Sequence, residues 1–515
     1  MTITQKILKK QPFPLVLRVV SLIFFILIMF ALYFGSLKLL NINFESKTAL
    51  IIIWTLWWPF LYITLLFLAR AWCGFICPIS LANETGNKIR KGRVINVVKW
   101  SFIAYIIFFF VVFLEQTSGL FLSVNTTLIF FGIFFIASFI FGLLFSRWSF
   151  CRLICPIGTL LGVFSRLSFI GLRTQKEKCQ RCKTKECLTG GKAIPCPMNN
   201  NVPKIESNRN CLLCSNCIKN CPHDSPDIMF VQPGKEVIDE VNFSFSESLF
   251  IVSLIGLTFV LNSRGTQLFR KIGNLFELTG SLLRLMDFIL AIGITLLIFV
   301  IITSITSKLI KINVKSGLKK FGYNYLPLAF SIMFFTIVFG FLSPYINLTN
   351  SMIAISKYVI LLAGIIWSSY FSYRIIYKKY NQGKIAATTV QIATIIFIGL
   401  FFIGYLIPGP LNLFSEEVSS YTVKSGEVVN MKAFSMGYNP STIITKKGQQ
   451  VVIDLVNEDI THAFDIDEFN VHNIILGGKT TKIMFMPDKS GEFEYSCSIP
   501  GHTEAGMKGK LIVLE

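Results

Sequence analysis

The sequence contains little histidine and little charge, and both shortages narrow what the chain can do. Only four of its 515 residues are histidines, and none of them falls in a long apolar run. A haem held inside a membrane by two histidines of this chain is therefore excluded. Charged residues make up 15% of the sequence, hydrophobic residues 53%, and the mean hydropathy is +0.62. Such a chain is too apolar for a soluble protein.

The sequence also lacks a cleavable signal and a single basic face. A polar, basic start with Lys6, Lys9 and Lys10 leads into a long apolar run without a small-residue cleavage site. The net charge of +21 comes from lysines and arginines that cluster in alternate loops between apolar runs, as membrane orientation would produce. The chain is therefore predicted to stay in the cell membrane as a multi-pass protein and not to bind nucleic acid.

Nine apolar runs are long enough to cross a hydrocarbon core of about 30 Å. They cover residues 14–35, 49–68, 99–118, 127–146, 244–262, 285–305, 324–344, 355–373 and 387–408. With the N-terminus inside, this count places the basic loops and the cysteine-rich stretch 147–235 in the cytoplasm and the C-terminus outside. Loop 263–284, which this count places outside, is basic and is therefore an exception to the charge pattern. Its apolar residues recur at helical spacing, which predicts an amphipathic helix on the outer surface. Arg284 and Asp287, three residues apart, are expected to pair.

Eight of the thirteen cysteines have the spacing of a two-cluster ferredoxin. The runs are Cys179-x2-Cys182-x4-Cys187-x8-Cys196-Pro197 and Cys211-x2-Cys214-x2-Cys217-x3-Cys221-Pro222. In such proteins the fourth cysteine of each run binds the other cluster. The sequence therefore predicts two [4Fe–4S] clusters, one on Cys179, Cys182, Cys187 and Cys221 and the other on Cys211, Cys214, Cys217 and Cys196.

Two other uses of these cysteines fit the pattern less well. A zinc ribbon made of two Cys-x2-Cys units would leave four cysteines unused and would not explain the two Cys-Pro signatures. Disulfides are disfavoured because these cysteines fall on loops that the charge pattern assigns to the reducing side. His223, directly after Cys221-Pro222, is interpreted as a solvent-facing loop residue because eight cysteines already supply both clusters.

Four more cysteines form two Cys-x3-Cys-Pro pairs, Cys73/Cys77 and Cys151/Cys155. Each pair directly follows an apolar span, and i,i+4 spacing on a helix would place both thiols on one face. Brought together, the four thiols could hold a third cluster or a soft metal such as Cu(I). The alternative is a set of buried free thiols or a redox dithiol, and the sequence leaves this choice open.

These pairs also carry a family resemblance. They occur as Cys73-Gly74-Phe75-Ile76-Cys77-Pro78 and Cys151-Arg152-Leu153-Ile154-Cys155-Pro156-Ile157-Gly158, ahead of the double ferredoxin motif. In this order, residues 10–230 resemble the NapH/NosR/CcoG group of membrane polyferredoxins, although Ser80 stands where that group usually has glycine. The resemblance implies respiratory electron delivery, or the supply and reduction of copper for an oxidase or reductase.

The C-terminal segment 426–515 alternates apolar and polar residues between turn signals, which predicts a β-sandwich. Blue copper requires two histidine nitrogens and one cysteine sulfur, with a weak axial methionine. His462, Cys497, His502 and Met507 supply this set. The segment 497–507 resembles a cupredoxin ligand loop and has the spacing of rusticyanin.

Two further points bear on this copper site. Gly501 takes the place of the second cysteine that a dinuclear site of the cytochrome oxidase type would need, so one type 1 copper ion is expected. His472 is interpreted as a surface residue. A cupredoxin fold that has lost its metal is the alternative.

The chain is therefore predicted to be a multi-domain α-helical membrane protein with a ferredoxin-like module and an all-β cupredoxin sandwich. The predicted domains are a four-span membrane domain (1–172), a cytoplasmic 2[4Fe–4S] domain (173–235), a five-span membrane domain (236–410), a linker (411–425) and an extracytoplasmic cupredoxin domain (426–515).

The expected function is electron transfer between the cytoplasmic clusters, or the quinone pool, and the external copper in a respiratory chain. The chain would act as an electron carrier or oxidoreductase component without catalytic residues of its own. The alternative is a copper-assembly or cupric-reductase factor. Expected partners are the lipid bilayer, redox proteins, and a quinone or a haem subunit, because a bilayer core is too thick for one electron-transfer step.

Overall fold

The structure is a computed structural model. It describes residues 2–9, 12–39, 42–90, 92, 97–118, 124–261, 280–342, 350–406, 420–424, 426–434, 437–457, 461–499, 502–503 and 507–515. Most of the predicted amphipathic helix at 263–284 and most of the predicted linker at 411–425 lie outside these residues.

Helices lie over each of the nine apolar runs. Their bounds are Pro12–Phe34, Ser46–Leu68 (with a π-helical stretch at Ile51–Trp57), Val97–Ser118, Val124–Leu144, Phe245–Leu261, Gly280–Leu309, Leu326–Leu342 (π-helical at Phe335–Phe339), Asn350–Tyr377 (π-helical at Tyr373–Tyr377) and Lys384–Leu406. Helices suit these sequences because all their backbone hydrogen bonds are made within the segment.

Seven helices among the described residues are long and apolar enough to cross a membrane. The apolar helical segments 102–117 and 245–261, which correspond to two further predicted spans, are shorter. Some apolar side chains on these helices are exposed, as is typical of a surface that contacts lipid. Ile133 and Ile289, for example, are each about 60% exposed. Arg284 and Asp287 are buried and lie 3.7 Å apart, as expected from their spacing.

The cysteine-rich segment forms a small module around a two-stranded antiparallel sheet. Strands β1 (Ser36–Leu39) and β2 (Ile42–Glu45) are not part of this module and pair with each other as a hairpin. The sheet of the module consists of β3 (Ile170–Arg173) and β4 (Asp227–Phe230). Short helices at Lys176–Arg181, Glu186–Thr189 and Asn216–Asn220 lie between β3 and β4. Helix Ile3–Lys9 also packs here, and Gln5 donates to the carbonyl oxygens of Asp224 and Pro226 at 3.0 and 3.1 Å.

A buried ion network attaches this module to the membrane helices. Glu247, at the start of helix Phe245–Leu261, accepts from Arg166 Nε at 2.7 Å and from Arg209 Nε at 2.9 Å. Arg166 also lies 3.4 Å from Glu236, and Arg209 donates to the Tyr105 hydroxyl at 3.2 Å. Because a buried charge is tolerated only when it is paired, the network explains how an acidic residue can begin this apolar helix.

The C-terminal domain is a β-sandwich of two sheets. Its strands are β5 (Ser420–Thr422), β6 (Val428–Phe434), β7 (Gly437–Asn439), β8 (Thr442–Lys446), β9 (Val451–Asn457), β10 (His462–Ile466), β11 (Val471–Ile475), β12 (Thr480–Phe485), β13 (Gly491–Ser496) and β14 (Lys508–Leu514). One sheet has the order β11-β10-β13-β14-β8-β5 and the other β12-β9-β6-β7. Inward residues such as Val429, Ile453 and Leu511 alternate with exposed ones and form the core.

Candidate metal centres

Two cavities in the iron–sulfur module are each lined by four cysteines. One is lined by Cys179, Cys182, Cys187 and Cys221, and the other by Cys196, Cys211, Cys214 and Cys217. Each encloses about 360 Å³, including its open mouth. The fourth cysteine of each run therefore lies at the cavity of the other run, because the two runs pass each other in the fold.

The two cavities differ in burial. Cys211, Cys214 and Cys217 are buried, whereas the four cysteines of the first cavity are only partly covered. Burial raises the pKa of Cys211 to about 12 and that of Cys214 to about 11. Cys182 is partly exposed, and the backbone N–H of Lys185 lowers the pKa of its thiol. The first cavity is thus the more accessible of the two.

Corresponding backbone groups support both crossing cysteines. The N–H of Asn200 lies 3.4 Å from Cys196 Sγ, and the N–H of Ser225 lies 3.4 Å from Cys221 Sγ. Each donor is four residues beyond its cysteine, because the intervening Cys-Pro step turns the chain back on itself. Hydrogen bonds to the sulfurs are one of the means by which a protein sets the potential of an iron–sulfur cluster.

The spacing of these thiols suits a cluster better than a single ion. Within the described part of the chain, only His462, Cys497 and His502 bring three ligand atoms within 4.8 Å of one another. A single tetrahedral ion with metal–sulfur bonds of about 2.3 Å would hold its sulfurs roughly 3.8 Å apart. Four iron atoms and four bridging sulfides hold their thiolates farther apart, so the spacing of each set of four cysteines fits a [4Fe–4S] cluster.

The two Cys-x3-Cys-Pro segments have the same local structure. Helices Ala71–Phe75 and Ser149–Leu153 each carry the first cysteine, and an isoleucine directly follows the end of each helix. Cys77 and Cys155 are then extended, with φ −62° in both and ψ of 116° and 110°. Each is followed by a proline at the first position of a new helix, Pro78–Ile89 or Pro156–Phe164.

The prediction that both cysteines of a pair lie on one continuous helix face is therefore wrong. A break between the cysteines lets the second one cap the next helix, as Cys155 Sγ does by accepting from the Gly158 N–H at 3.3 Å. Proline favours this arrangement because its fixed φ suits the first turn of a helix.

The copper-type residues meet at one edge of the β-sandwich. His462 begins β10, Cys497 directly follows β13, and Met507 directly precedes β14. These three strands are neighbours and antiparallel, so the named ends lie at the same edge of the sheet. His502 lies on the loop that joins β13 to β14.

The donor atoms in this site are close and enclosed. His462 Nδ1 lies 3.2 Å from His502 Nδ1, which lies 3.4 Å from Cys497 Sγ. His462 and Cys497 are fully buried, His502 is 8% exposed, and Met507 is buried in the same core. Two imidazole nitrogens, one thiol sulfur and a methionine are the donor set of blue copper, so the residues fit one copper ion.

Groups around the cysteine sulfur hold it in place. The Ala463 N–H lies 3.1 Å from Cys497 Sγ, and the Tyr438 hydroxyl donates to the Ala463 carbonyl and also approaches the thiol. Burial raises the pKa of Cys497 to about 12. Copper binding must therefore release this proton, because the thiolate is the ligand.

The other two histidines lie apart from these centres. His472 is 53% exposed and lies 3.3 Å from Asp465, in agreement with its interpretation as a surface residue. His223 is exposed at the mouth of the first cysteine cavity.

Sequence reasoning missed Tyr438 and the buried Arg70, because a strand tyrosine and a loop arginine give no signal before their neighbours are known.

Two protein families match separate parts of the chain. A family described as a 4Fe-4S binding domain matches residues 50–96 and 127–174, the segments that carry the two Cys-x3-Cys-Pro pairs. A family described as a cupredoxin-like domain matches residues 411–513.

Three curated relatives are similar over parts of the chain. The putative electron transport protein YccM of Escherichia coli is 30% identical over 236 residues, 39% of this chain and 62% of YccM. The uncharacterized protein MJ0749 of Methanocaldococcus jannaschii is 29% identical over 171 residues, 31% of this chain and 64% of MJ0749. The copper-resistant cuproprotein CopI of Rubrivivax gelatinosus is 46% identical over 39 residues, 8% of this chain and 24% of CopI.

The chain thus spans less than two thirds of the length of each of these relatives. This membrane protein combines a 4Fe–4S-type region with a C-terminal cupredoxin-like domain, a combination that supports electron transfer.

Proposed function

We propose that this protein is an integral membrane electron carrier of a prokaryotic respiratory chain. It would link two [4Fe–4S] clusters on the cytoplasmic side, or the quinone pool, with one type 1 copper ion on the outside. The observation that carries the proposal is the presence of two four-cysteine cavities and a buried His2Cys site in one chain, separated by membrane helices. The NapH/NosR/CcoG resemblance of residues 10–230 supports the same role.

The proposed sidedness rests on contacts of the basic loops. Glu240, which follows the iron–sulfur module, pairs with Lys320 at 2.9 Å and with Lys379 at 3.0 Å. The segments that contain these lysines would therefore lie on the same side of the membrane as the module. Helix Lys384–Leu406 would then begin on that side, and its 23 residues extend about 35 Å, enough to cross a bilayer core. The cupredoxin-like domain follows this helix and would lie on the opposite side.

The chain's residues would prepare each site for one-electron chemistry, which the iron–sulfur clusters and copper supply when bound. Eight cysteines would hold the clusters, and the N–H groups of Asn200 and Ser225 would donate to their sulfurs. His462, Cys497, His502 and Met507 would hold copper in an enclosed core that excludes water. Since the chain has no histidine in an apolar run, a quinone or a haem of a partner subunit would connect the two sides.

A copper-assembly or cupric-reductase role is the second candidate. It is favoured by the 39-residue similarity to the copper-resistant cuproprotein CopI. Met484 and Met486, both 62% exposed on or beside β12, could offer soft ligands to Cu(I) at the surface. The closed ligand set of His462, Cys497 and His502 favours electron transfer, because a delivery site must release its ion easily.

Electron paramagnetic resonance on the full-length protein, purified anaerobically in detergent, tests the proposal. The oxidised protein should show a Cu(II) signal with narrow hyperfine splitting, and dithionite should remove it while interacting iron–sulfur signals appear. Cys497→Ser should abolish the narrow copper signal and leave the iron content unchanged. Cys217→Ser should remove about four iron atoms per chain and leave the copper signal unchanged.

The outcomes separate the two candidates. Copper in an ordinary tetragonal site, or copper far below one ion per chain in a protein that contains its clusters, would contradict the electron-carrier role and favour copper assembly. Loss of both metals in either single variant would mean that the two regions fold as one unit, and would overturn the assignment of separate sites.

A further inference from the structure

Helices Asn350–Tyr377 and Lys384–Leu406, the last two of the apolar helices, form a groove between them. It encloses about 680 Å³, including its open mouth, and sites for small molecules typically have about 300–1,000 Å³. Tyr373 and Tyr377 line one wall, and residues between Ile385 and Ile396 line the other. No cysteine or histidine is among the described residues that line it, so the groove is separate from the candidate metal centres.

The tyrosine wall coincides with a local change in helix geometry. The stretch Tyr373–Tyr377 is π-helical, and it ends the first of the two helices. The rings of Tyr373 and Tyr377 stack with their centres 5.0 Å apart and their planes 19° apart. They give this wall a continuous aromatic surface. Short π-helical stretches within α-helices are frequently found at functional sites.

The opposite wall changes from charged to apolar along its length. Lys384 begins helix Lys384–Leu406, Thr388 follows one turn later, and Ile392 and Ile396 follow at the same spacing. Residues four apart lie on one face of a helix. From Lys384 to Ile396 this face is about 18 Å long, slightly more than half of a hydrocarbon core of about 30 Å. The wall therefore has the length and the polarity gradient of one lipid leaflet.

Two lysines without an ion-pair partner lie at the polar end of the groove. Lys378 Nζ lies 5.6 Å from the centre of the Tyr373 ring, and Lys384 Nζ lies 4.8 Å from that of Tyr377. Among the described residues no carboxylate lies within 4.0 Å of either lysine. The aromatic rings hold the two cations in place but do not neutralise them. This end of the groove is therefore suited to an anion.

Thr388 provides a second, independent sign of a ligand. It lines the groove, is 6% exposed, and its hydroxyl has no hydrogen-bond partner in the described part of the chain. A helical threonine can donate to the carbonyl four residues earlier, as Thr394 does to Val390 at 2.8 Å. The hydroxyl of Thr388 does not do so, and a buried hydroxyl without an acceptor is costly. A ligand oxygen in the groove, one turn beyond Lys384, would supply the acceptor.

We infer that this groove binds one anionic glycerophospholipid. The phosphate headgroup contacts Lys378 and Lys384, an ester oxygen accepts from Thr388, and an acyl chain lies along Ile392 and Ile396. The positive N-terminal end of helix Lys384–Leu406 favours the same anion. A neutral quinone in the groove would leave both lysines uncompensated, so the charges favour the phospholipid.

The lipid belongs to the leaflet on the side of the iron–sulfur module. Lys379, next to Lys378, pairs with Glu240, which follows the module. The inference therefore goes beyond the proposed function: it uses the same placement in the membrane but no property of the metals.

Native mass spectrometry of the full-length protein in detergent tests the inference. The probes are phosphatidylglycerol and phosphatidylcholine with identical acyl chains. The wild type should bind one phosphatidylglycerol about 10-fold more tightly than phosphatidylcholine, because lysines near the headgroup attract the anionic lipid. Lys378→Gln/Lys384→Gln should lose this preference and bind phosphatidylcholine as the wild type does. Equal binding of both lipids by the wild type would overturn the inference.

Lys315→Gln/Lys319→Gln is the matched control. Both lysines are exposed on helix Val314–Phe321, outside the groove, and the same helix carries Lys320, which pairs with Glu240. The control removes the same charge on the same side of the protein and should keep the lipid preference. An equal loss of preference in the control would mean that net charge, and not the groove, attracts the lipid.

Thr388→Val removes the hydroxyl and keeps the shape of the side chain. It should weaken the binding of phosphatidylglycerol by about 3- to 10-fold, because one hydrogen bond is lost. The preference over phosphatidylcholine should remain, since both lipids have ester oxygens. An unchanged affinity would contradict the assigned contact.

Two competitors separate the phospholipid from other occupants. Excess inorganic phosphate should not displace phosphatidylglycerol, because it has no acyl chain to fill the apolar part of the groove. A short-chain ubiquinone should also fail to displace it. Displacement by phosphate would reduce the site to a phosphate site, and displacement by the quinone would assign the groove to a quinone. Either result would overturn the phospholipid.

These outcomes are distinguishable from failure of the proposed function. All three variants should keep the iron content and the copper signal of the wild type, because the substituted residues lie outside the metal centres. Normal metal signals without a lipid preference would leave the proposed function intact and remove only the lipid site. A lipid preference in a protein that lacks the expected copper signal would have the opposite meaning.

Discussion

Cys182 lies partly exposed on the iron–sulfur module, whereas Cys497 lies in the core of the β-sandwich with none of its surface exposed. The first belongs to a cavity whose four cysteines come from both cysteine runs of the module. The second belongs to a compact set gathered from the ends of three strands. The two regions thus represent different solutions to metal binding: loops that close around a cluster, and a rigid sheet that holds its donors in place beforehand.

The difference bears on what each region does without its metal. The cysteine cavities have little secondary structure of their own, so their order depends on the cluster. The copper-type set is positioned by a ten-strand sandwich with its own hydrophobic core. A preformed site changes little between oxidation states, and this rigidity favours an electron-transfer role for the copper domain.

The largest expected effect that would sharpen this comparison is in thiol reactivity. After chelation of both metals under anaerobic conditions, iodoacetamide at pH 7.5 should modify Cys182 more than about 100-fold faster than Cys497. Cys182 is partly exposed and its pKa is lowered, so it has more thiolate at this pH. The pKa of Cys497 is raised to about 12, so its thiol stays protonated, and it is also shielded from the reagent.

Mass spectrometry of the peptides that contain each cysteine measures both rates in one sample. The same experiment in denaturant should bring the two rates together, which serves as the control. Equal rates in the folded, metal-free protein would mean that the copper site is not preformed, and the contrast between the two regions would fail.

A smaller effect is expected where the iron–sulfur module meets the Cys-x3-Cys-Pro segment. Gly74→Ala places a methyl group 2.2 Å from the Leu212 carbonyl oxygen, so one of the two loops must move. Overpacking of this kind typically costs about 1–3 kcal/mol. The thermal midpoint for loss of iron–sulfur absorbance should therefore fall by several degrees, while that of the copper signal should stay the same.

Gly293→Ala is the matched control, because nothing lies within 4 Å of the added methyl group on its helix. It should leave both midpoints near those of the wild type. If Gly74→Ala lowered the copper midpoint as well, the two regions would be coupled in stability, contrary to the comparison above.

Much of the architecture is predictable from the sequence because it is encoded locally. Each apolar run corresponds to a helix, and the alternation in 426–515 corresponds to the β-strands. The grouping of the eight cysteines around two cavities also follows the spacing. In these cases the periodicity of a short segment, or the distance between neighbouring ligands, contains the information.

The rest depends on contacts between distant parts of the chain. Gln5 meets Asp224 across 219 residues, and Arg166 meets Glu247 across 81. Arg70 is buried and donates to the Arg209 carbonyl across 139 residues, and nothing near it in the sequence indicates this contact. The break between Cys73 and Cys77 was missed for a different reason, since i,i+4 spacing favours a continuous helix until the proline cap is recognised.

The smallest effect concerns how the sheet holds the copper-type sulfur. Tyr438→Phe removes the hydroxyl that donates to the Ala463 carbonyl, and the N–H of Ala463 in turn donates to Cys497 Sγ at 3.1 Å. The loss should cost about 1 kcal/mol of stability. It should also shift the blue absorption band and lower the copper potential slightly, because hydrogen bonding around the sulfur tunes such sites.

Tyr495→Phe is the matched control: its hydroxyl donates to the Pro440 carbonyl at 2.9 Å, and its ring packs 5.3 Å from that of Tyr438. This variant should lose similar stability with no change in spectrum or potential, since its hydroxyl donates away from the sulfur. Equal spectral shifts in both variants would mean that general loosening of the core, and not the Tyr438–Ala463–Cys497 contact, sets the copper site.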